Sequence, residues 1–350
     1  MSSAESATAP PRGSFRATAA EPFLVSWLRS NGLLLGLLLA VFAAFLFPRL
    51  GSREGILHGS LVSDVGVSVI LFLQGLSLAW ENVKAALGSW RLHVIIQTFT
   101  FVVFPIVGLG FYFFGHEFWP SEPPAVRDGF LFLCVLPSTV SSSVVLTSVA
   151  RGNTPGALFN AALSNIAGVV LTPVLVHLLM QASGRSAPFG PVLLKICLLT
   201  LLPFSIGMFL RRYLKKQVEA NKRWVNRICN AIVLLIVYTA FCDSVENKIW
   251  TIYGVGLTVK VLALVAFLFS GMPLLIYGVC RLSRLRRGDA IAAYFCSVKK
   301  TLAMGVPLAT LIFGQRSDLS LILLPIMFYN PFQLLVNGLI ANQLAKESVR

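Results

Sequence analysis

Apolar residues gather into ten runs, at about 30–48, 61–79, 92–114, 129–150, 156–180, 190–211, 226–245, 251–280, 290–314 and 319–343. A bilayer-crossing helix needs about 20 mostly apolar residues. Each run is long enough, some only with tilt or an internal break. The pattern predicts an all-α membrane protein of about ten transmembrane helices. The second, fourth and ninth runs are interrupted by polar residues.

Composition supports this reading. The chain is 56% hydrophobic and 12% charged, against roughly 25% charged in soluble domains. A net charge of +15 would suit a nucleic-acid binder, but its placement does not. The basic residues cluster in short stretches between apolar runs, as at Arg211, Arg212, Lys215, Lys216, Lys222, Arg223 and Arg227, and again at Arg281, Arg284, Arg286 and Arg287. The partners this implies are a lipid bilayer and a small solute, with no nucleic acid.

With ten spans, the N-terminal tail, the even-to-odd loops and the C-terminal tail share one side. That side holds nineteen Lys and Arg residues; the opposite side holds seven. The positive-inside rule then puts both termini in the cytoplasm, with a plasma or inner membrane as the expected location. Residues 1–25, rich in Ala, Ser, Thr, Pro and Arg, are expected to be a disordered cytoplasmic tail with no cleavable signal. Residues 26–345 form the expected transmembrane domain. The six cysteines lie in or beside apolar runs, without C-x-x-C or zinc spacing, and read as packing residues.

Ten spans divide into five and five. An odd-numbered repeat unit must invert its second copy, as in many secondary transporters. The expected repeats cover about 26–182 and 188–345. The third run carries Phe104-Pro105 before Gly108 and Gly110, and the eighth carries Met272-Pro273 before Gly278. Ser142 to Pro173 and Lys300 to Pro331 are both 31 residues apart.

Candidate chemistry concentrates at two interruptions. In the fourth run, Pro137 removes a backbone donor and disfavours helix at Leu136. Five hydroxyls follow: Ser138, Thr139, Ser141, Ser142 and Ser143. Unwound backbone at membrane depth survives where it is buried in protein or lines a watery cavity. A Ser/Thr-rich packing seam between helices is the plainer alternative. The ninth run carries Cys296, Ser297, Lys299, Lys300 and Thr301. Each lysine costs about 2.5–3.5 kcal/mol at mid-membrane on insertion scales. A loop between two shorter helices is the alternative, but neither piece would then cross alone. Asn160, Ser164 and Asn165 in the fifth run, Gln74 in the second and Asn330 in the tenth complete the polar candidates. His93, His177, Asp64 and Asp243 lie near span ends. No Asp or Glu lies mid-span, so a carboxylate proton relay has no support.

The run Leu73-Gln-Gly75-Leu-Ser-Leu, then Leu92-His-Val-Ile-Ile-Gln97-Thr-Phe-Thr, then Phe104-Pro105 resembles the bile acid–sodium symporter family, solute carrier family ten. The resemblance is closest to its seventh-member-like branch, which is not a bile acid branch. The stretch from Pro137 through Ala150-Arg151-Gly152-Asn153 to Asn160, and the ninth run from Cys296 to Pro307, are similar to that branch. The resemblance covers nearly all the chain after about residue 25. It implies ten helices in an inverted repeat, a panel and a core domain, and broken fourth and ninth helices that cross.

Sodium-coupled members of that family carry a Ser-Asn pair where Ser142-Ser143 stands here. They carry fifth-helix hydroxyls where this chain has Ala157 and Ala161, with Asn160 and Ser164 as shifted substitutes. Their ninth-helix Glu and Gln are replaced by Cys296 and Lys300, with no acid. A sodium ion held by Ser142, Ser143, Asn160 and Ser164 is one arrangement the resemblance leaves open. A lysine ammonium standing in for the ion is another. The expected function is secondary transport of a small organic, anionic solute without a resident cofactor. A non-transporting regulator of calcium homeostasis on the same fold is the competing reading. No enzyme is expected, because no nucleophile–base pair, metal cluster or paired acid stands out.

Overall fold

The hydrophobic runs become helices, and among the described residues of this computed structural model there are no strands. The described residues are 32–52, 55–56, 59–77, 90–118, 122–182, 190–314 and 316–347, without the side chains of 34, 59–64, 116, 118, 181–182 and 190–199. The expected tail, residues 1–25, lies outside them.

Helices α1 (Gly32–Leu46) and α2 (Gly59–Ser77) come first, with a one-turn helix Pro48–Gly51 between them. Then α3 (Trp90–Thr98) runs through a wide turn, Phe99–Val103, into α4 (Phe104–Phe118). The fourth run is two helices, α5 (Pro124–Val135) and α6 (Val140–Val149). They are followed by α7 (Thr154–Ala182), α8 (Gly190–Ala220), α9 (Lys222–Glu246) and α10 (Ile249–Leu282). The ninth run is also two helices, α11 (Arg287–Val298) and α12 (Leu302–Phe313), before α13 (Leu319–Glu347).

Among the described residues six segments are long and apolar enough to cross a bilayer: α3 through α4, α7, α9, α10, α11 through α12, and α13. The pair α5 and α6, bent by 59° at its break, makes a seventh if it is one span. The expectation of ten crossing helices is met only in part among the described residues. Two shorter apolar stretches there, Leu35–Leu46 of α1 and Val65–Ser77 of α2, are described over fewer residues than a crossing needs.

On one side α2 lies along α8, and α9 packs on α1 and α2. On the other α5 lies between α4 and α13, α6 packs on α7, and α10 packs on α11 and α13. Helix α12 packs on α2, α9 and α13, and α7 on α8, joining the two sides. The long helix α10 bends at Gly254, whose φ of 62° and ψ of −169° suit only glycine. Lys260, an in-span lysine by sequence, is 60% exposed and pairs with Glu122 at 2.5 Å.

Just before α13, Arg316 grips two acids. Its Nη1 donates to Asp128 of α5 at 2.7 Å, and its Nε and Nη2 donate to Asp318 at 2.8 and 2.7 Å. Burial works against the guanidinium charge, but bonds to the two carboxylates outweigh it and hold its pKa above the ordinary arginine value. With a raised pKa, the stabilisation is complete below the unfolded-state value and is lost only as pH rises through the still higher folded-state value. Arginine therefore stays charged at every working pH. The Asp128 side chain is fully buried, whereas that of Arg316 is 30% exposed, so the expected loss is below that of a fully buried pair. Arg316→Gln is expected to destabilise the protein by about 2 kcal/mol. A melting curve in detergent that does not shift would refute this role.

Candidate functional site: the crossing of two broken helices

The first break follows from Pro137, which cannot donate an amide to the carbonyl of Leu133. Residues 136–139 leave the helix. Every carbonyl from Leu133 to Ser138 then finds a partner outside the ordinary helix ladder. Leu133 accepts from the Leu136 amide at 3.4 Å, and Pro137 accepts from the Thr301 amide at 3.0 Å. Val135 accepts from the Thr172 hydroxyl at 3.0 Å. Ser138 accepts from the Asn165 amide group at 2.9 Å. The remaining two, Cys134 and Leu136, accept from the ammonium of Lys300 at 2.9 and 2.8 Å.

A second helix supplies Lys300 with a third oxygen. In the wide turn of α3–α4 the Phe104 amide reaches back to the carbonyl of Phe99. The next amide in that register would bond Thr100, but residue 105 is proline and has none. The Thr100 carbonyl is thereby freed, and it accepts from Lys300 Nζ at 3.4 Å. The ring of Phe104 covers the ammonium, with its centroid 4.0 Å away. Lys300 is fully buried. A cation at the C-terminal end of α5 also meets the negative end of that helix.

The second break, Lys299–Thr301, is held by uncharged groups. The Lys300 amide donates to Gln333 Oε1 at 2.8 Å, and Gln333 Nε2 donates to the Lys300 carbonyl at 2.9 Å. The Tyr329 hydroxyl donates to the carbonyl of Val298 at 2.7 Å. Thr301 caps α12, accepting from the Met304 amide at 3.4 Å. At the first break, Ser164 and Asn165 of α7 play the part of Gln333. The Ser138 amide donates to Ser164 Oγ at 3.1 Å, beside the Asn165 bond already described.

The sequence-derived candidates divide. Ser143 bridges to α11, donating to the carbonyl of Phe295 at 3.1 Å. Ser142 bonds Thr139 at 2.8 Å within its own turn. Ser141 is exposed. These three serines lie inside α6, so the break holds Ser138 and Thr139 and ends before the other three hydroxyls. The equal spacing of 31 residues starts from Ser142 and does not mark matching points of the two breaks. Asn160 turns toward α3: its amide donates to His93 Nδ1 at 2.8 Å, and Gln97 Nε2 donates to its carbonyl at 3.1 Å. Cys296 lies against α7, with Sγ 3.5 Å from the Ala157 carbonyl. Asn330 accepts from Gln333 at 2.9 Å. Gln74 lies on α2, and among the described residues no hydrogen bond joins it to the crossing.

Ser138 touches both Ser164, through its amide at 3.1 Å, and Ser143, hydroxyl to hydroxyl at 3.5 Å, while Asn160 is bonded to His93. The oxygens that do converge surround Lys300, and they are backbone carbonyls rather than the hydroxyls sequence reasoning favours. Thr100, Thr172, Tyr329 and Gln333 were missed. Gln333 and Thr172 carry the ordinary signal of a polar residue in an apolar run; a backbone acceptor carries none. His93, near a span end by sequence, meets Asn160.

Lys299 is the counter-example. It is also fully buried, yet its ammonium has no hydrogen-bond partner, and neither has the buried hydroxyl of Ser297. A cleft of about 490 Å³ is apolar and lies between α1, α9, α10 and α13, lined by Phe45, Phe241, Trp250 and Phe328.

Residues 31–346 match the model of the SBF-like CPA transporter family. The chain is 32% identical over 316 residues to the Escherichia coli protein named as symporter YfeH, covering 90% of this chain and 92% of that one. It is 32% identical over 319 residues to rat sodium/bile acid cotransporter 7, covering 91% and 93%. A Pseudomonas aeruginosa relative without a functional name is 35% identical over 316 residues, covering 89% and 92%. A multi-pass helical protein with two broken helices crossing at a buried cation is in keeping with these matches, and the chain belongs to the SBF-like CPA transporter family, whose members are membrane transporters and not enzymes.

Proposed function

We propose that this protein is a secondary transporter for a small organic anion, and that Lys300 serves as a cation built into the chain at the crossing. The observation that carries the reading is the set of three carbonyls, from Thr100, Cys134 and Leu136, around one buried ammonium. Oxygens converging at the end of a broken helix are what a transporter offers to a small coupling cation. Here a covalently attached charge takes them.

The matched support of the two breaks, by α7 at Ser138 and by α13 at Lys300, favours an inverted repeat of ten helices. Movement of α1, α2, α8 and α9 against the other helices would expose the crossing to each side in turn. The basic asymmetry favours cytoplasmic termini and a plasma or inner membrane. Sodium appears in the name of the rat relative, but the Lys300 arrangement favours transport that does not require it.

The test is uptake into proteoliposomes across a panel of radiolabelled organic anions, with external sodium or choline. The expected result is uptake of at least one anion, at rates that agree within about twofold, well inside the ~tenfold span of 1.4 kcal/mol. Uptake that vanishes in choline would refute the built-in cation. No uptake of any member would refute the transport reading.

A further inference from the structure

The two adjacent lysines are in opposite situations, and only Lys300 has a use in the account above. Lys299 is equally buried, but its ammonium meets no hydrogen-bond acceptor. An unpaired charge is among the costliest things to bury. Helix α11 is packed against α3, the wide turn after it, α6, α7 and α10, and meets α13 where Tyr329 bonds the carbonyl of Val298. The first five contain no Asp or Glu, and the one acid of α13 is Glu347, its last residue. The acid within α11 itself is Asp289, at the opposite end of the helix and bonded to Asn153 at 2.6 Å. The titratable groups on these elements are Arg91 and His93 of α3, His177 of α7, Tyr253, Lys260, Tyr277, Cys280 and Arg281 of α10, and Tyr329, Lys346 and Glu347 of α13. On α11, Cys296 is the group close enough to act electrostatically on Lys299. Tyr294 and Ser297 on the same helix keep unpartnered buried hydroxyls.

We infer that Lys299 binds the negatively charged group of the solute and takes up a proton from bulk water as it does so. This deepens, and rests on, the reading of the protein as an organic-anion transporter. Without an anion, the neutral amine is the better tolerated form in this dry setting. An anion supplies the missing partner and favours the ammonium. Binding and protonation are then linked, each strengthening the other. Lys300 does not take part, because its charge is already satisfied by three carbonyls. The anion and the proton would move together, so the pH gradient and not sodium would drive accumulation. Access requires the packed helices to separate, which the transport cycle provides.

The test needs no flux. Full-length protein in weakly buffered detergent at pH 7.5 is mixed with benzoate, naphthalene-2-sulfonate or iodide, and a pH dye and melting temperature are read. The expected result is stabilisation by at least one of these anions, with uptake of about one proton per bound anion. Affinity should weaken by up to about tenfold per pH unit as pH rises. Lys299→Met should lose both signals. Lys299→Arg, whose guanidinium is always charged, should bind the anion without proton uptake, and it carries the test if the methionine variant does not fold. Unchanged proton uptake in either variant would overturn the inference. So would binding to wild type without uptake, or no stabilisation by any of the three anions. Flux in proteoliposomes that ignores pH would overturn the proton linkage while leaving the transport reading intact.

Discussion

Lys300→Gln is expected to stop solute uptake and to lower the melting temperature while leaving a folded protein. The ammonium donates to the carbonyls of Cys134 and Leu136 at 2.9 and 2.8 Å and lies near that of Thr100 at 3.4 Å. Hydrogen bonds to a charged group contribute about 1.5–3 kcal/mol each. Glutamine is shorter, uncharged and carries only two donor hydrogens, so a net loss of about 3 kcal/mol is expected. If that loss falls mainly on one conformer of the cycle, it shifts the balance by roughly a hundredfold, enough to trap the carrier. Lys300→Ala is expected to behave differently. It leaves the oxygens facing a space with no cation, and sodium should then partly restore stability and uptake. Melting curves and uptake across a sodium series test both variants. Wild-type behaviour across the series would remove Lys300 from the mechanism.

The second large effect is expected away from the crossing, where α2 meets α8. A Cβ at Gly75 would lie 2.1 Å from the Phe204 carbonyl oxygen, and a Cβ at Gly207 would lie 2.1 Å from that of Phe72. Both obstacles are backbone, so no side chain can swing away. Such close approach through small residues is how helices pack tightly in lipid, where no hydrophobic drive pushes them together. Gly75→Ala and Gly207→Ala should each force the helices apart and destabilise by about 2–3 kcal/mol, at the upper end of overpacking costs. The double variant should cost clearly less than the sum, because the separation forced by one methyl makes room for the other. Melting temperatures of the two single variants and the double variant decide the point. Strict additivity would mean that the two glycines do not share one seam.

The helical class and both interruptions are legible in the sequence because they rest on local chemistry. Pro137 cannot continue a helix, and Lys299-Lys300 cannot sit comfortably in lipid. The position of the first break is less legible. The hydroxyls at Ser141, Ser142 and Ser143 suggest a centre that the structure places inside α6, because serine tolerates a helix once its hydroxyl can bond a neighbouring turn. The contacts of Lys300 are hidden for a different reason. Carbonyls exist at every residue, and which ones are free depends on where prolines interrupt the amide ladder on other helices. Pro105 and Pro137 carry that information, but only in three dimensions does it become clear that they free oxygens around the same point. The opposite circumstances of Lys299 and Lys300 are likewise invisible in a two-residue string.

The bond between the Thr301 amide and the Pro137 carbonyl, 3.0 Å long, is main chain at both ends. No exchange of side chain removes it, except proline at position 301. The two interrupted helices thus share an axle whose material is the peptide unit itself. Side chains around the axle can be replaced to suit a different cargo while the bearing stays in place. A chain built this way can change what it carries more easily than how it moves.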